Sequence, residues 1–306
     1  MTDDRAPAIT VQPRSADWIE AAVLAGGGRL VEPADATAMV WTLSAAPEEL
    51  AATVAANPQI EWIQLPWAGI ETYLDVLDPT RTWTNAKEVY GPPVAEMAHG
   101  LLLAGFRRLG QYARETTWTR GEGKNLHGAS ITILGAGGIT RDLVAYLAPY
   151  RCEITVVRRR TDPMPGVQRV LGTDQLHDAL RGAEGLVLAL PLLPSTERII
   201  GAAELELLAP GAHVVNVARG RHIDTDALID ALNSGQVASA GLDVTDPEPL
   251  PDGHPLWAMP SVIVTPHTAN TRQMAKPLLG ARIASNVRRY AAGEEFEGLV
   301  DIEHGY

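Results

Sequence analysis

Residues 131–140 constrain the fold more than any other stretch. Ile131-Thr132-Ile133-Leu134 is a short apolar run of strand character. It leads straight into Gly135-Ala136-Gly137-Gly138-Ile139-Thr140, and helical patterning follows over 142–147. A second apolar run, Glu153–Val157, comes next, and runs at 186–190, 213–217 and Val262–Val264 are separated by helical stretches. Strand, helix and strand in alternation predict an α/β chain with a doubly wound parallel sheet, in which each strand is buried on both faces.

The glycine turn has a ligand logic of its own. Gly135 permits the tight turn, and Gly137 lets a pyrophosphate approach backbone at the N-terminus of the following helix. Ala136, Gly138 and Ile139 complete the cradle, so 135–140 is a candidate dinucleotide site. Thr140 stands where this pattern has its third glycine, and its hydroxyl could bond a phosphate. The second strand ends in Arg158-Arg159-Arg160, where a site for NAD carries an acid to bind the ribose hydroxyls. Guanidinium groups fork onto phosphate oxygens. Arg158 and Arg159 therefore predict NADP(H) as the preferred cofactor, with NAD(H) second. A solvated basic turn would predict no preference.

Outside this region the patterning predicts a smaller α/β unit. Strand material or its flanks is expected at 23–24, 39–43 and 60–65, and helix over Pro47–Ala56. Pro92 and Pro93 open a run over 94–118 with no further proline, read as one long helix. Helix returns at about 272–292. The expected domains are 94–272 for the dinucleotide and 1–93 plus 273–306 for the substrate, the smaller domain being discontinuous.

Composition narrows the function. A net charge of -12 over 306 residues disfavours nucleic acid as a partner. The single cysteine, Cys152, sits in an apolar stretch and reads as a buried, inert thiol. No apolar run has membrane-spanning length, the start is polar and acidic, and the chain reads as cytoplasmic. No His, Cys or Asp spacing suggests a metal site.

Three stretches in the second half carry the chemistry: Val215 to Gly220, Gly241 to Pro251, and Val264 to Thr271. Arg219 can hold a carboxylate and polarise a neighbouring ketone. His267 can donate a proton near neutral pH. Glu248 is the candidate carboxylate that orients the imidazole and favours its charged form. These are the parts needed to reduce a small 2-oxoacid with a hydride from the cofactor.

The same stretches, with 188–196, 224–228 and Thr265-Pro266-His267, resemble the D-isomer-specific 2-hydroxyacid dehydrogenases. The resemblance runs from about residue 62 to 289. It implies a Rossmann-type cofactor domain inserted in a smaller flavodoxin-like substrate domain. It also implies an Arg219–Glu248–His267 catalytic set and Asp243 as the acid on the nicotinamide carboxamide. Leu190, Pro191, Thr196, Val217 and Ala218 would line the coenzyme. Trp67, Ala68 and Gly69 resemble the loop whose N–H groups meet the substrate carboxylate. Family members are usually homodimers, joined through the cofactor domains.

The chain departs from the family at Thr140, Arg158, Asn270 and Trp67. Where Asn270 stands the family often has a small residue. The arginine cluster is similar to that of the NADP-preferring glyoxylate/hydroxypyruvate reductases. The expected reaction is NADP(H)-dependent reduction of a glyoxylate- or hydroxypyruvate-like acid to the D-2-hydroxyacid. Two alternatives are a non-catalytic dinucleotide-sensing protein and NAD-dependent oxidation of another small anion.

Overall fold

A computed structural model describes residues 6–303 apart from Ser44. In chain order the elements are β1 (Ala8–Gln12), α1 (Asp17–Ala25), β2 (Arg29–Leu30), β3 (Ala38–Trp41), α2 (Pro47–Ala56), β4 (Trp62–Gln64) and β5 (Thr82–Thr84). Then come α3 (Gly91–Phe106), α4 (Leu109–Tyr112), β6 (Ser130–Leu134), α5 (Gly138–Leu147), β7 (Glu153–Val157), β8 (Arg169–Leu171), α6 (Leu176–Leu180) and β9 (Gly185–Leu188). The rest are α7 (Ala202–Leu207), β10 (Ala212–Asn216), α8 (Thr225–Ser234), β11 (Val237–Leu242), α9 (Pro255–Ala258), β12 (Val262–Val264) and α10 (Arg272–Ala292). They form two compact units, residues 1–90 with 271–306, and residues 91–270. No helix among the described residues is long and apolar enough to cross a membrane.

The first unit is a five-stranded parallel sheet in the order β2-β1-β3-β4-β5, the flavodoxin-like order. Its core is built from Met39, Trp41, Leu50, Ile60, Ile63 and Trp83. The C-terminal helix belongs to this unit through specific bonds. Buried Asn286 donates from Nδ2 to Gln64 Oε1 (2.9 Å) beside β4 and to the Glu297 carbonyl (3.0 Å). Arg282 donates to the carbonyls of Asn85 and Lys87, 3.1 Å each. At the end of α1, a Cβ on Gly26 would lie 2.6 Å from that of Val287, so α10 lies directly against that turn.

The second unit is a seven-stranded parallel sheet in the order β12-β11-β10-β9-β6-β7-β8. Counted from β6 as its first strand, this is 3-2-1-4-5-6-7, the dinucleotide-binding order extended by one strand. The order reverses between β6 and β9, and ligands in such sheets bind outside the carboxyl ends of the strands near that point. Helix α3 packs against β10 and β11. Its buried residues Val94, Ala98, Leu101, Leu102 and Phe106 recur at helical spacing. A Cβ on Gly241 would sit 2.8 Å from that of Leu101, so this position of β11 has room only for glycine.

Two expectations from the sequence need correction. Residues 23–24 lie inside α1, whose buried Ile19, Ala22 and Val23 follow a helical period that two residues alone do not reveal. The long helix expected over 94–118 stops at Phe106. Arg108 takes a left-handed backbone (φ +53°), and only the short α4 follows. Beyond Tyr112 the chain is polar and Thr-rich, and Trp118 is fully exposed, so no apolar face remains to hold a helix.

Two buried groups complete this core. The Cys152 thiol donates to the Leu126 carbonyl, and burial pushes its pKa up. The His213 imidazole packs on Phe106 and pairs through Nδ1 with Ser239 Oγ (2.8 Å). Burial, with Lys124 and Arg108 nearby, pushes it down to about 4.

Candidate active site

Every candidate residue of the second unit stands at the carboxyl edge of its sheet or in the loop and first turn that follow. Strand β6 runs into the glycine turn, β7 into Arg158, and β9 into residues 189–196. Strand β10 runs into Arg219, β11 into Asp243, and β12 into Thr265–His267.

The glycine turn has the shape a dinucleotide needs. Gly135 has φ +104°, and a Cβ there would overlap the Ala189 carbonyl. Gly137 caps α5, and a Cβ there would meet nothing within 4 Å, which leaves open space for a ligand's approach. The Gly135 N–H donates to the Val157 carbonyl (2.9 Å), so the turn is tied to the strand that delivers Arg158. Arg158 is half-buried, while Arg159 and Arg160 are exposed. These features fit a bound dinucleotide. Thr140 is fully buried, and its hydroxyl donates to the Gly135 carbonyl (2.9 Å). The hydroxyl that the sequence offered to a phosphate instead braces the turn from within. Gly135→Ala is expected to destabilise the protein by at least about 2 kcal/mol, combining a left-handed backbone with a steric clash. Thermal unfolding reads this, and an unchanged melting temperature would contradict the close approach to Ala189.

The turn carrying Arg219 is built by buried polar side chains. Asn216 accepts from the Ala218 N–H (3.0 Å) and donates to the Arg219 carbonyl (2.9 Å). A Cβ on Gly220 would overlap the Thr245 carbonyl, so this turn lies against the segment after β11. His222 is fully buried. Its Nδ1 lies 3.2 Å from the Arg219 N–H, and its Nε2 lies 3.2 Å from the Pro191 carbonyl. The same carbonyl accepts from Thr196 Oγ1 (2.8 Å). One imidazole thus links the turn of Arg219 to the loop of Leu190, Pro191 and Thr196. Val217 and Ala218 are buried beside it.

His267 and Glu248 meet directly, Nδ1 to Oε1, at 2.7 Å. A carboxylate only accepts, so Nδ1 carries the hydrogen and Nε2 is left to face a substrate. The side chains remain 52% and 41% exposed, and so within reach of a small molecule. The His267 backbone is left-handed (φ +51°), a conformation that clusters at functional sites. It is held by its N–H, which donates to the carbonyls of Asp243 (2.8 Å) and Thr265 (2.9 Å). The buried Asp243 carboxylate accepts from Thr265 Oγ1 (2.5 Å) and from the N–H groups of Thr268 (2.9 Å) and Ala269 (3.0 Å). Asp243 therefore anchors the loop that presents His267. On the Glu248 side, the Thr225 hydroxyl donates to the Asp246 carbonyl and Thr245 to that of Pro247.

In the first unit, residues 66–70 follow β4. Their carbonyls turn inward: Pro66 accepts from the Tyr90 hydroxyl (2.7 Å), Trp67 from the Ala86 N–H (3.1 Å) and Ala68 from Asn85 Nδ2 (2.9 Å). Burial pushes the Tyr90 phenol up, which keeps it a donor. The N–H groups of Ala68 and Gly69 donate to no described residue.

The structure thus brings Glu248 and His267 into contact and sets Arg219 at the end of a strand in the same sheet. Sequence reasoning missed Asn216, His222 and the anchoring work of Asp243. The one signal for His222 in the sequence is its place three residues after Arg219, in the same turn.

Comparison with known proteins identifies the family. Residues 99–269 match the family model described as D-isomer specific 2-hydroxyacid dehydrogenase, NAD binding domain. An uncharacterised protein of Corynebacterium melassecola is 39% identical over 255 residues, covering 81% of this chain and 84% of that one. Glyoxylate/hydroxypyruvate reductase A of Yersinia enterocolitica is 30% identical over 290 residues, covering 90% and 88%. A D-isomer specific 2-hydroxyacid dehydrogenase of Xanthobacter autotrophicus, solved with NADPH and MES, superposes with a TM-score of 0.85 at 27% identity, covering 98% and 100%. The strand order, the glycine turn and the full-length likeness have one reading: the chain is an oxidoreductase of the D-isomer-specific 2-hydroxyacid dehydrogenase family, built to take a nicotinamide dinucleotide.

Proposed function

We propose that this enzyme reduces a small 2-oxoacid of the glyoxylate or hydroxypyruvate kind to the D-2-hydroxyacid, with NADP(H) preferred over NAD(H). The observation that carries the proposal is the 2.7 Å His267–Glu248 pair, set at the edge of the sheet that also presents Arg219. The hydride is the chemistry that a bound reduced nicotinamide supplies. Arg219 grips the substrate carboxylate in a fork and polarises the ketone. Glu248 holds Nδ1–H, so that Nε2 of the charged imidazole gives its proton to the carbonyl oxygen. The loop of Trp67, Ala68 and Gly69 binds substrate through its outward N–H groups.

On the coenzyme side, residues 135–140 cradle the pyrophosphate, and Asp243 takes the carboxamide. Leu190, Pro191, Thr196, Val217 and Ala218 line the rest. Arg158 and Arg159 take a 2′-phosphate, and the NADPH in the Xanthobacter neighbour supports this choice. Arg158→Asp is expected to shift the NADPH/NADH ratio of kcat/KM towards NADH by about 10–100-fold, the worth of a charge-assisted bond. A ratio that stays put removes Arg158 from the phosphate site. We also assign a homodimer, which light scattering reads directly.

The reaction is tested by following NADPH and NADH absorbance over a panel of short 2-oxoacids, with chiral analysis of the product. NADPH oxidation with glyoxylate or hydroxypyruvate is expected. Tight NADPH binding without turnover of any short 2-oxoacid would make the protein a dinucleotide sensor instead.

A further inference from the structure

We propose that His222 is a positioning residue, one whose two ring nitrogens separately hold the turn of Arg219 and the coenzyme loop at 189–196. The inference deepens the 2-oxoacid reading above and rests on it. The ring is fully buried, so it acts only through the groups that its nitrogens bond.

The loop is anchored at both ends but not between them. Its start lies against the glycine turn, where a Cβ on Gly135 would overlap the Ala189 carbonyl. Just past its end, backbone bonds tie the chain to the turn after Arg219. The Arg198 N–H donates to the Arg221 carbonyl (2.8 Å), the Ile200 N–H to the His222 carbonyl (3.1 Å), and the Asp224 N–H to the Ile200 carbonyl (2.9 Å). Residues 191–196 lie outside the strands and helices and are exposed or half-buried. Their tie to the core is the Pro191 carbonyl, which accepts from Thr196 Oγ1 within the loop (2.8 Å) and meets His222 Nε2 from below (3.2 Å).

The ring chemistry gives each nitrogen a separate task. A carbonyl only accepts, so Nε2 carries a hydrogen and gives it to Pro191. Nδ1 lies 3.2 Å from the Arg219 backbone nitrogen and 3.0 Å from the Arg219 carbonyl oxygen. A neutral ring accepts from the first and a charged ring donates to the second, so either form grips the Arg219 backbone. That backbone carries the guanidinium assigned to the substrate carboxylate. Packing alone would be met by leucine, whereas a buried imidazole costs free energy unless its nitrogens are paired. Both are paired here, and each to a segment of the site.

The two tasks are separable by substitution. Asparagine puts an amide where Nδ1 stands but is too short to reach Pro191. Leucine keeps the bulk and removes both bonds. The test measures the dissociation constant for NADPH by fluorescence, and KM for glyoxylate at saturating NADPH, in the native chain, His222→Asn and His222→Leu. In His222→Asn, NADPH is expected to bind about 3–10-fold more weakly, the worth of one neutral hydrogen bond, with KM for glyoxylate within about twofold of native. In His222→Leu both values are expected to rise about 3–10-fold. Recovery of the glyoxylate KM by asparagine alone is the result that a packing role would not produce.

Native values of both constants in both variants, at any melting temperature, overturn the proposal in favour of packing. Equal rises of both constants in His222→Asn and His222→Leu overturn it as well, because the turn and the loop then fail as one structural unit. If His222→Leu does not fold, His222→Asn decides alone: weaker NADPH binding with a native glyoxylate KM supports the proposal, and any other pattern overturns it. Each of these results leaves the reductase reading standing as long as the native chain oxidises NADPH with glyoxylate. A native chain that reduces no short 2-oxoacid removes the proposal together with that reading.

Discussion

Replacing His267 by asparagine is expected to lower kcat for glyoxylate reduction by about 10²–10⁴-fold, the loss of a positioned general acid. Asparagine suits the test because it tolerates the left-handed backbone that His267 adopts (φ +51°). The loop then keeps its anchor, since Asp243 bonds to Thr265, Thr268 and Ala269 rather than to the imidazole. NADPH binding, read by fluorescence titration, should stay within a few-fold of native. A fall in kcat with binding retained places the defect in the chemical step. Loss of both would mean that the loop has collapsed, and His267→Gln then serves as the second variant.

The other large effect belongs to Arg219. Two charge-assisted hydrogen bonds to one carboxylate are worth roughly 3–6 kcal/mol together, so Arg219→Ala should cost about 10²–10⁴-fold in kcat/KM. KM should rise, because the carboxylate is bound before reaction. The value of kcat should fall as well, because polarisation of the ketone grows in the transition state. Arg219→Lys is expected to recover only a small part, since an ammonium cannot fork onto a carboxylate. The turn itself should survive the change. Asn216 and His222 hold it through the backbone of residues 218 and 219, and the guanidinium adds a bond from Nη1 to the Ala218 carbonyl (2.8 Å). A kcat/KM within a few-fold of native in Arg219→Ala would take that residue out of the reaction.

What could be read from the sequence followed the strength of local signals. Strands rich in branched apolar residues, such as Glu153–Val157 and Val262–Val264, were visible as continuous apolar runs, which in Glu153–Val157 follow from burial. Helix α2 was visible from its N-terminal proline and early acidic residues. Strand β11, Val237–Leu242, was not, because its centre, Ala238 to Gly241, is made of small residues that carry little strand signal. The end of α3 was missed for a related reason. Freedom from proline allows a helix, but only an apolar face against a partner sustains one.

The candidate site divides along the same line. Arg219, Glu248 and His267 stand in spaced motifs whose residue types announce their chemistry. The contacts of His222 and the anchoring bonds of Asp243 come from tertiary pairing, which no linear spacing expresses. Thr140 shows the reverse error. Its position in the glycine pattern suggested a ligand, but full burial turns the hydroxyl onto the Gly135 carbonyl.

The proposed reaction needs Glu248 and His267 to act as one proton-donating unit. A double-mutant cycle on kcat/KM for glyoxylate with NADPH, using Glu248→Gln, His267→Asn and the double variant, tests this most directly. Residues that act as a unit are strongly non-additive. The double variant should therefore be no slower than His267→Asn alone, to within about threefold. Effects that multiply, or a Glu248→Gln enzyme as fast as native, would show that the 2.7 Å contact has no part in the reaction.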